Sequence, residues 1–236
     1  MNRPNYVVRC SERTREGSLS TSLIQRARVS LLNRGFILLP SDTCYSIATL
    51  AIDKKSYSDM NILLNRDDDE PVLLSFSNLR RVEKFVCVTP QISALFEAFT
   101  PGPLTLVCNS QPNIPEELTF RMLGTNEQTI GVRIPDSAIE REIASCTDYP
   151  ITAIAVRDPT SNSVVKDFSR AIEIIADGME KLKQDITWGL AIEGSFFRSS
   201  HSTIIRVGDI SNGVNLLREG DISFDEIKLV ANEFNV

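Results

Sequence analysis

The stretch Leu38–Ala51, "LLPSDTCYSIATLA", decides how this chain folds. Leu38 and Leu39 close an apolar run that begins at Phe36. Pro40, Ser41, Asp42 and Thr43 follow, four polar or turn-forming residues. Ile47, Leu50 and Ala51 then resume the apolar character. A turn between two strands accounts for the pattern. So does a corner where the backbone and three short oxygen-bearing side chains hold a small ligand.

On either side of this stretch, helical and extended patterns alternate irregularly. Ser20 to Asn33 carries Leu23, Ile24, Ala27, Leu31 and Leu32 at helical spacing, and Gly35 stands where a helix stop belongs. "FILLP" reads as a short buried strand. "SYSDMNILLN" places Tyr57, Met60, Leu63 and Leu64 on one helical face. "PVLLSF", "PLTLVCN", "TIGVRIP", "ITAIAV", "GLAIE", "STIIRV" and "VNLLRE" are strand-like, most of them rich in β-branched residues. "NLRRVEKFV" and "PQISALFEAFTPG" predict helices, as does "FSRAIEIIADGMEKL", with Ile172, Ile175, Met179 and Leu182 at core spacing. "SFDEIKLVANEF" closes the chain as a helix, with Ser223 and Glu226 forming a capping box. The segment "NSQPNIPEELTFRMLGTNEQ" predicts a surface excursion. Strands and helices thus mix without strict βαβ alternation. The expected fold class is α/β: one domain with a twisted mixed sheet, helices packed against it and a concave ligand face.

Composition bounds the function. The 236 residues suit one large domain, or one domain with a small appendage. Hydrophobic residues make up 42% and charged residues 24%, ordinary for a globular protein with a real core. No apolar run approaches the ~20 residues that span a bilayer, so no membrane association is expected. "MNRPNYVVRCSERTRE" lacks the apolar centre of a secretory signal, and the expected location is the cytoplasm. Five scattered cysteines with no C-x-x-C argue for reduced thiols rather than a disulfide framework or a zinc site. The net charge of −6 argues against a broad nucleic-acid-binding face, while leaving room for a local basic patch. A single histidine, His201, removes a histidine-based triad and a multi-histidine metal site. No protein metal ligands are assigned.

Polar residues interrupt the apolar strands at several places: Ser41-Asp42-Thr43, Arg66 after a helix, Thr105, Arg133, Ser202-Thr203 and Arg218. An arginine in an apolar strand is costly unless its guanidinium meets a carboxylate or a phosphate. Any one of these arginines reads equally as an ordinary salt-bridged or surface residue. Three of them could converge on one polyanion.

In their order along the chain these pieces resemble the YrdC/Sua5 family. "LLPSDTCYSIATLA" is similar to the family's P-T-D-T-x-Y-G-L signature, and "LNRDDDEPVLLSF" to its K-x-R-x-x-x-x-P-L segment. "FTPGPLTLVCN", "IGVRIPD", "YPITAIAV", "SSHSTIIRV" and "LLREG" match later family segments. The resemblance runs from Gly35 to Gly220. It implies residues 1–17 as an N-terminal extension and 18–236 as a YrdC-like domain. It further implies a nucleotidyltransferase that makes threonylcarbamoyl-adenylate from threonine, bicarbonate and ATP with magnesium, feeding t6A modification of tRNA alongside other proteins of that pathway. Carried over by position, Ser41, Asp42, Thr43 and Tyr45 would bind the amino acid. Arg66, Thr105, Arg133, Ser202, Thr203 and Arg218 would bind the nucleotide, with Arg66 and Arg133 acting in catalysis. No enzyme nucleophile is required, only positioning and cationic stabilisation of the triphosphate.

The departures from the family pattern are Leu64 where K-x-R has lysine, Ala155-Val156-Arg157 where the family has S-x-N, and Ser46 where a glycine follows the tyrosine. Arg157 could replace the lost lysine's charge. The run Asp67-Asp68-Asp69-Glu70 reads as a solvated loop rather than a metal site. Two readings remain: an active synthase with a rearranged phosphate clamp, or a catalytically degenerate paralogue that binds a nucleotide or an RNA, tRNA or double-stranded.

Overall fold

The structure is a computed structural model that describes residues 3–14, 17–66, 73–121, 128–182, 186–196, 201–208 and 213–233. In chain order its elements are β1 (Tyr6–Val8), α1 (Thr21–Leu32), β2 (Phe36–Pro40), β3 (Tyr45–Leu50), α2 (Lys54–Leu64) and β4 (Leu73–Ser75). Then come α3 (Leu79–Val82), α4 (Pro90–Phe99), β5 (Leu104–Asn109), β6 (Phe120–Arg121), β7 (Gln128–Arg133) and α5 (Ala138–Ser145). The chain ends with β8 (Ile151–Ala155), α6 (Phe168–Lys181), β9 (Trp188–Ile192), β10 (Thr203–Val207), β11 (Val214–Arg218) and α7 (Phe224–Asn232). The strands make one mixed sheet in the order β1-β9-β2-β3-β8-β4-β7-β5-β10-β11, with β6 joined to β7. The β1/β9, β2/β9, β4/β7 and β5/β10 pairs are parallel, and β2/β3, β3/β8, β4/β8, β5/β7 and β10/β11 are antiparallel. Among the described residues no helix is long and apolar enough to cross a membrane.

The apolar run at β2 has a simple cause: both faces of the strand are covered. Ile37 and Leu39 pack with Leu23 and Leu31 of α1 and Ile143 of α5. Phe36 and Leu38 pack with Met60 and Leu63 of α2 and Ile175 of α6. A third cluster joins Ile92, Leu95 and Phe96 of α4 and Ile227 of α7 to Leu104, Leu106 and Val132. Strands covered on both sides lose the apolar–polar alternation that marks a half-exposed strand.

Helix boundaries follow their caps. The Ser137 hydroxyl receives the Glu140 N–H at the start of α5, and Ser223 and Glu226 form the expected capping box on α7. α1 ends differently from the sequence expectation. Arg34, not Gly35, takes the left-handed conformation, at φ 59°. Its N–H bonds Leu31 O and the Gly35 N–H bonds Ser30 O, which is a Schellman closure with Gly35 one residue further on. Gly35 is needed for space instead: a Cβ there would lie 2.7 Å from the Thr187 carbonyl oxygen. "NLRRVEKFV" yields only the short α3, and "YVV" in the N-terminal segment, which the sequence left without an element, adds the edge strand β1. All five cysteines are free thiols.

On α6 the buried stripe is Phe168, Ala171, Ile174, Ile175 and Gly178, with Ile172, Met179 and Leu182 flanking it, partly buried. The expected stripe is displaced because the closest approach to α2 falls on a glycine, which carries no apolar signal. A Cβ on Gly178 would sit 2.1 Å from the Leu63 carbonyl oxygen. Gly178→Ala is therefore expected to force the two helices apart and lower stability by about 1–3 kcal/mol, the cost of overpacking a core, despite alanine's better helix propensity. A urea titration of the variant checks this; an unchanged midpoint would refute the close approach.

Candidate functional site

The β2–β3 corner answers the question raised by its sequence. Pro40 pairs with Tyr45 at the end of the ladder, and the Ser41 N–H donates to Cys44 O across the turn at 2.9 Å. Asp42 is buried beneath the corner. Its carboxylate forms an ion pair with Arg133. It also accepts from the Asp136 N–H at 3.1 Å and the Ser41 hydroxyl at 3.1 Å. The corner is thus pinned to the end of β7 by charge. The Ser137 hydroxyl donates to Pro40 O at 2.7 Å, fixing the first turn of α5 against the same corner.

Register carries this point across the sheet. Ser46 on β3 pairs with Ala155 on β8. Ser75 on β4 pairs with Arg133 on β7, and Arg133 with Thr105 on β5. Thr105 pairs with Ile204 on β10, and Ile204 with Arg218 on β11 beside an irregularity in the ladder. The result is a cavity of about 150 Å³ whose walls include Ser41, Thr43, Ser46, Arg66, Arg133, Glu140, Arg157, His201, Ser202 and Arg218. That volume is below the ~300 Å³ at which drug-sized pockets begin, and it suits a small ligand or one end of a larger one.

Of the residues singled out in the sequence, Ser41, Thr43, Arg66, Arg133, Ser202 and Arg218 come together on this cavity. Asp42 and Thr105 stand just behind it: Asp42 holds Arg133, and the Thr105 hydroxyl donates to the Ser202 hydroxyl at 3.1 Å. Tyr45 and Thr203 are not among its walls. Tyr45 points to the other face of β3, where its ring meets Phe168 and Phe196 and its hydroxyl bonds Gly194. Neighbouring side chains on a strand alternate, so it is Ser46 that faces the cavity. The Thr203 hydroxyl is used by backbone, donating to Ile222 O at 2.6 Å and accepting from the Gly220 N–H at 2.9 Å. The acidic run Asp67–Glu70 lies outside the described residues.

The cationic side of the cavity is crowded. Arg218 donates to the Ser202 carbonyl and hydroxyl at 2.9 and 3.1 Å. Burial, then the nearby Arg157 and Arg133, push its guanidinium below the usual arginine value. Arg157 donates to Asn162 O at 2.7 Å. His201, set aside in the sequence as a catalytic candidate, is on the cavity wall; burial, then Arg157 and Arg218, hold its imidazole below the ordinary value. Like charges brought together at a half-buried site are a standing invitation to an anion.

Glu140 was missed altogether, because a glutamate in the first turn of an amphipathic helix reads as surface. It is 1% exposed. The Ser75 hydroxyl donates to its Oε1 at 2.7 Å. Burial pushes its carboxyl up, Arg133 and the Ser41 and Ser75 hydroxyls pull it down, and Asp42 adds to the rise. The net direction is upward. Above the ordinary carboxylate value the folded protein then keeps a proton that the unfolded chain has lost, and stability falls as pH rises toward the folded value. Glu140→Gln removes this dependence. Relative to wild type, the variant is expected to gain stability from weakly acid to weakly alkaline pH, read as urea midpoints across that range. A constant difference would refute it.

A family profile for Sua5/YciO/YrdC proteins, described as "Telomere recombination", matches residues 30–220. A putative threonylcarbamoyl-AMP synthase of Methanocaldococcus jannaschii is 24% identical over 205 residues, 87% of this chain and 89% of that protein. The threonylcarbamoyl-AMP synthase of Pyrococcus abyssi is 26% identical over 207 residues, 85% of this chain but 54% of that protein, so the chain spans about half its length. Escherichia coli YciO, an uncharacterized protein, is 24% identical over 198 residues, 84% of this chain and 89% of its own. Among solved structures, P. abyssi Sua5 complexed with L-threonine has a TM-score of 0.76 at 22% identity, covering 96% of this chain and 61% of that one. E. coli YciO has a TM-score of 0.70 at 19% identity, covering 92% and 96%. Both share the mixed-sheet fold expected from the sequence. With the profile spanning the corner, the cavity walls and the ladders between them, the chain belongs to the Sua5/YciO/YrdC family.

Proposed function

We propose that this protein is a threonylcarbamoyl-adenylate synthase-like nucleotidyltransferase acting on threonine, bicarbonate and ATP, whose product feeds t6A modification of tRNA. The observation that carries the reading is the gathering of Arg66, Arg157 and Arg218 around one small cavity beside the Ser41 corner. Its support from relatives is that two of them bear the synthase name and that the P. abyssi Sua5 structure holds L-threonine.

The chemistry asks little of the protein in covalent terms. Bicarbonate loses hydroxide to give carbon dioxide, and the neutral threonine amine adds to it and gives up a proton, which leaves with the hydroxide as water, to form a carbamate. The carbamate oxygen attacks the ATP α-phosphorus, and pyrophosphate leaves with the electron pair of the broken P–O bond. Charge accumulates on phosphate oxygens, where fixed guanidiniums in a poorly hydrated site act most strongly. The Ser41 and Thr43 side chains would orient the amino acid, and the arginine side would face the phosphates. Magnesium does not find a cage among the described residues. Asp42 is occupied by Arg133 and the Asp136 N–H, burial disfavours the Glu140 anion, and no group of three metal-ligating side chains forms. No step of this proposal passes through a protein-held metal.

A second reading, a paralogue that binds nucleotide or RNA without catalysis, draws on one observation. Leu64 packs against the α2–α6 core and is not on the cavity, and Ala155 presents a methyl to it. The test is pyrophosphate release by the purified chain with ATP, bicarbonate and magnesium, with and without threonine. Threonine-dependent release supports the synthase, and none over hours supports the binding-only paralogue.

A further inference from the structure

His201 is the sole histidine of the chain. The fold puts it, partly exposed, on the cavity wall with Arg157 and Arg218. Its place there is fixed from the backbone. The Asp221 N–H donates to its carbonyl at 3.0 Å, and the next residue, Ser202, accepts from Arg218 and from Thr105 at 3.1 Å each. The guanidiniums beside it carry permanent charge, whereas an imidazole can shed its own. A fixed extra cation would burden the empty cavity with like-charge repulsion. A cation made only when an anion arrives avoids that penalty and adds its attraction when the ligand is present.

We propose that His201 is a phosphate ligand of this cavity that takes up a proton as the anion binds, its imidazolium then donating an N–H to a phosphate oxygen beside Arg157 and Arg218. The inference rests on the arginine side facing phosphates, as in the function proposed above, and adds to it a proton-linked contact that arginines cannot supply. The proton comes from the buffer, and no covalent bond of the ligand changes.

The charges around the ring set the sign. Burial, the largest influence, then Arg157 after β8, Arg218 on β11 and Lys166 ahead of α6 disfavour the imidazolium, while Asp221 beyond β11 favours it. The other walls carry Arg66 after α2, Glu140 on α5, Cys44 in the corner and Arg133 on β7, which is paired with Asp42. The balance holds the imidazole of the empty site below its ordinary value, so it is neutral at neutral pH. A bound polyphosphate reverses the local field and raises that value. The protonated form then binds more tightly. The affinity that His201 contributes is complete below the empty-site value and is lost as pH rises through the bound-state value.

One histidine gives one signal. The full, tag-free chain labelled at histidine Cε1 is titrated with acid and base by NMR, empty and saturated with sodium pyrophosphate, saturation being set by isothermal titration. The imidazole is expected to titrate below the ordinary histidine range in the empty chain. With pyrophosphate bound it should titrate about one pH unit or more higher, which corresponds to about a tenfold gain in affinity. His201→Gln tests the same contact from the ligand side, and comparison with wild type at each pH cancels the probe's own protonation. The variant is expected to bind pyrophosphate about tenfold more weakly than wild type at mildly acid pH and equally at mildly alkaline pH. A histidine signal that titrates alike with and without bound pyrophosphate, or a wild-type-to-variant ratio that ignores pH, overturns the role of His201 and leaves the synthase reading standing. No pyrophosphate binding by wild type overturns the anion side itself, and both fall together. A shifted histidine in a chain that shows no threonine-dependent pyrophosphate release upholds His201 and removes the synthase alone.

Discussion

Asp42→Ala is expected to lower the stability of the fold by about 3–5 kcal/mol, the cost of stripping one partner from a buried ion pair. The reason lies in what the carboxylate holds. Asp42 is 1% exposed in its side chain and Arg133 is 12% exposed, so removing the carboxylate leaves a largely buried guanidinium without its ion-pair partner. The Asp136 N–H and the Ser41 hydroxyl lose their acceptor in the same step. The Nε of Arg133 is already buried and makes no hydrogen bond, and burial disfavours the anion of the other carboxyl beside it, Glu140. At about 2–4 °C per kcal/mol for a chain of this size, the midpoint of thermal unfolding should drop by roughly 10 °C. Trp188, the sole tryptophan, is 1% exposed and reports the transition by fluorescence. Replacing both partners with apolar side chains should recover much of the loss, because the penalty comes from the orphaned charge and not from the missing attraction. A single variant as stable as wild type, or a double variant no better than the single, would show that the pair does not anchor the corner.

The same pair explains how much of the site could be read from sequence. Polar residues interrupting apolar strands marked Ser41, Asp42, Arg66, Arg133, Ser202 and Arg218, and the ladders bring them to one end of the sheet. What a strand pattern could not assign is which face each residue takes once both faces are covered. All six residues of β3 are buried, so no alternation survives to separate Tyr45 from Ser46. Thr203 resembles its neighbour Ser202 in type, yet its hydroxyl serves the Gly220–Ile222 backbone. Glu140 is hidden for the opposite reason. Its helix is amphipathic, and its place at the third residue beyond the Ser137 cap is one where a surface glutamate is favourable. Only the packing of α5 onto β2 and β4 turns that position inward. The fold was easier than the site, since element type follows from local pattern whereas burial of a particular polar group follows from the partner element.

Arg157→Ala is expected to lower threonine-dependent pyrophosphate release by about 10²–10³-fold, the scale for removing a preorganised charge-stabilising donor from a transition state. The residue sits where the family pattern has an amide, two residues beyond Ala155, and like Ala155 it lines the cavity. It is steadied by Asn162 O rather than by a carboxylate, so its charge is not cancelled locally. Its repulsion of Arg218 and His201 is already felt in the empty site, and a triphosphate would reverse that strain into attraction. Leu64 offers no comparable route. It is partly buried against the α2–α6 cluster, and a lysine there would have to extend away from apolar neighbours to keep its ammonium wet. A cation need only reach the developing charge, whichever segment supplies it. Arg157→Lys should therefore keep more activity than Arg157→Ala, while Leu64→Lys in the Arg157→Ala background should restore little. Equal rates in wild type and Arg157→Ala would remove Arg157 from the clamp. Release that ignores threonine would instead point to another acceptor for the adenylate, and with it to a different use of the same cavity.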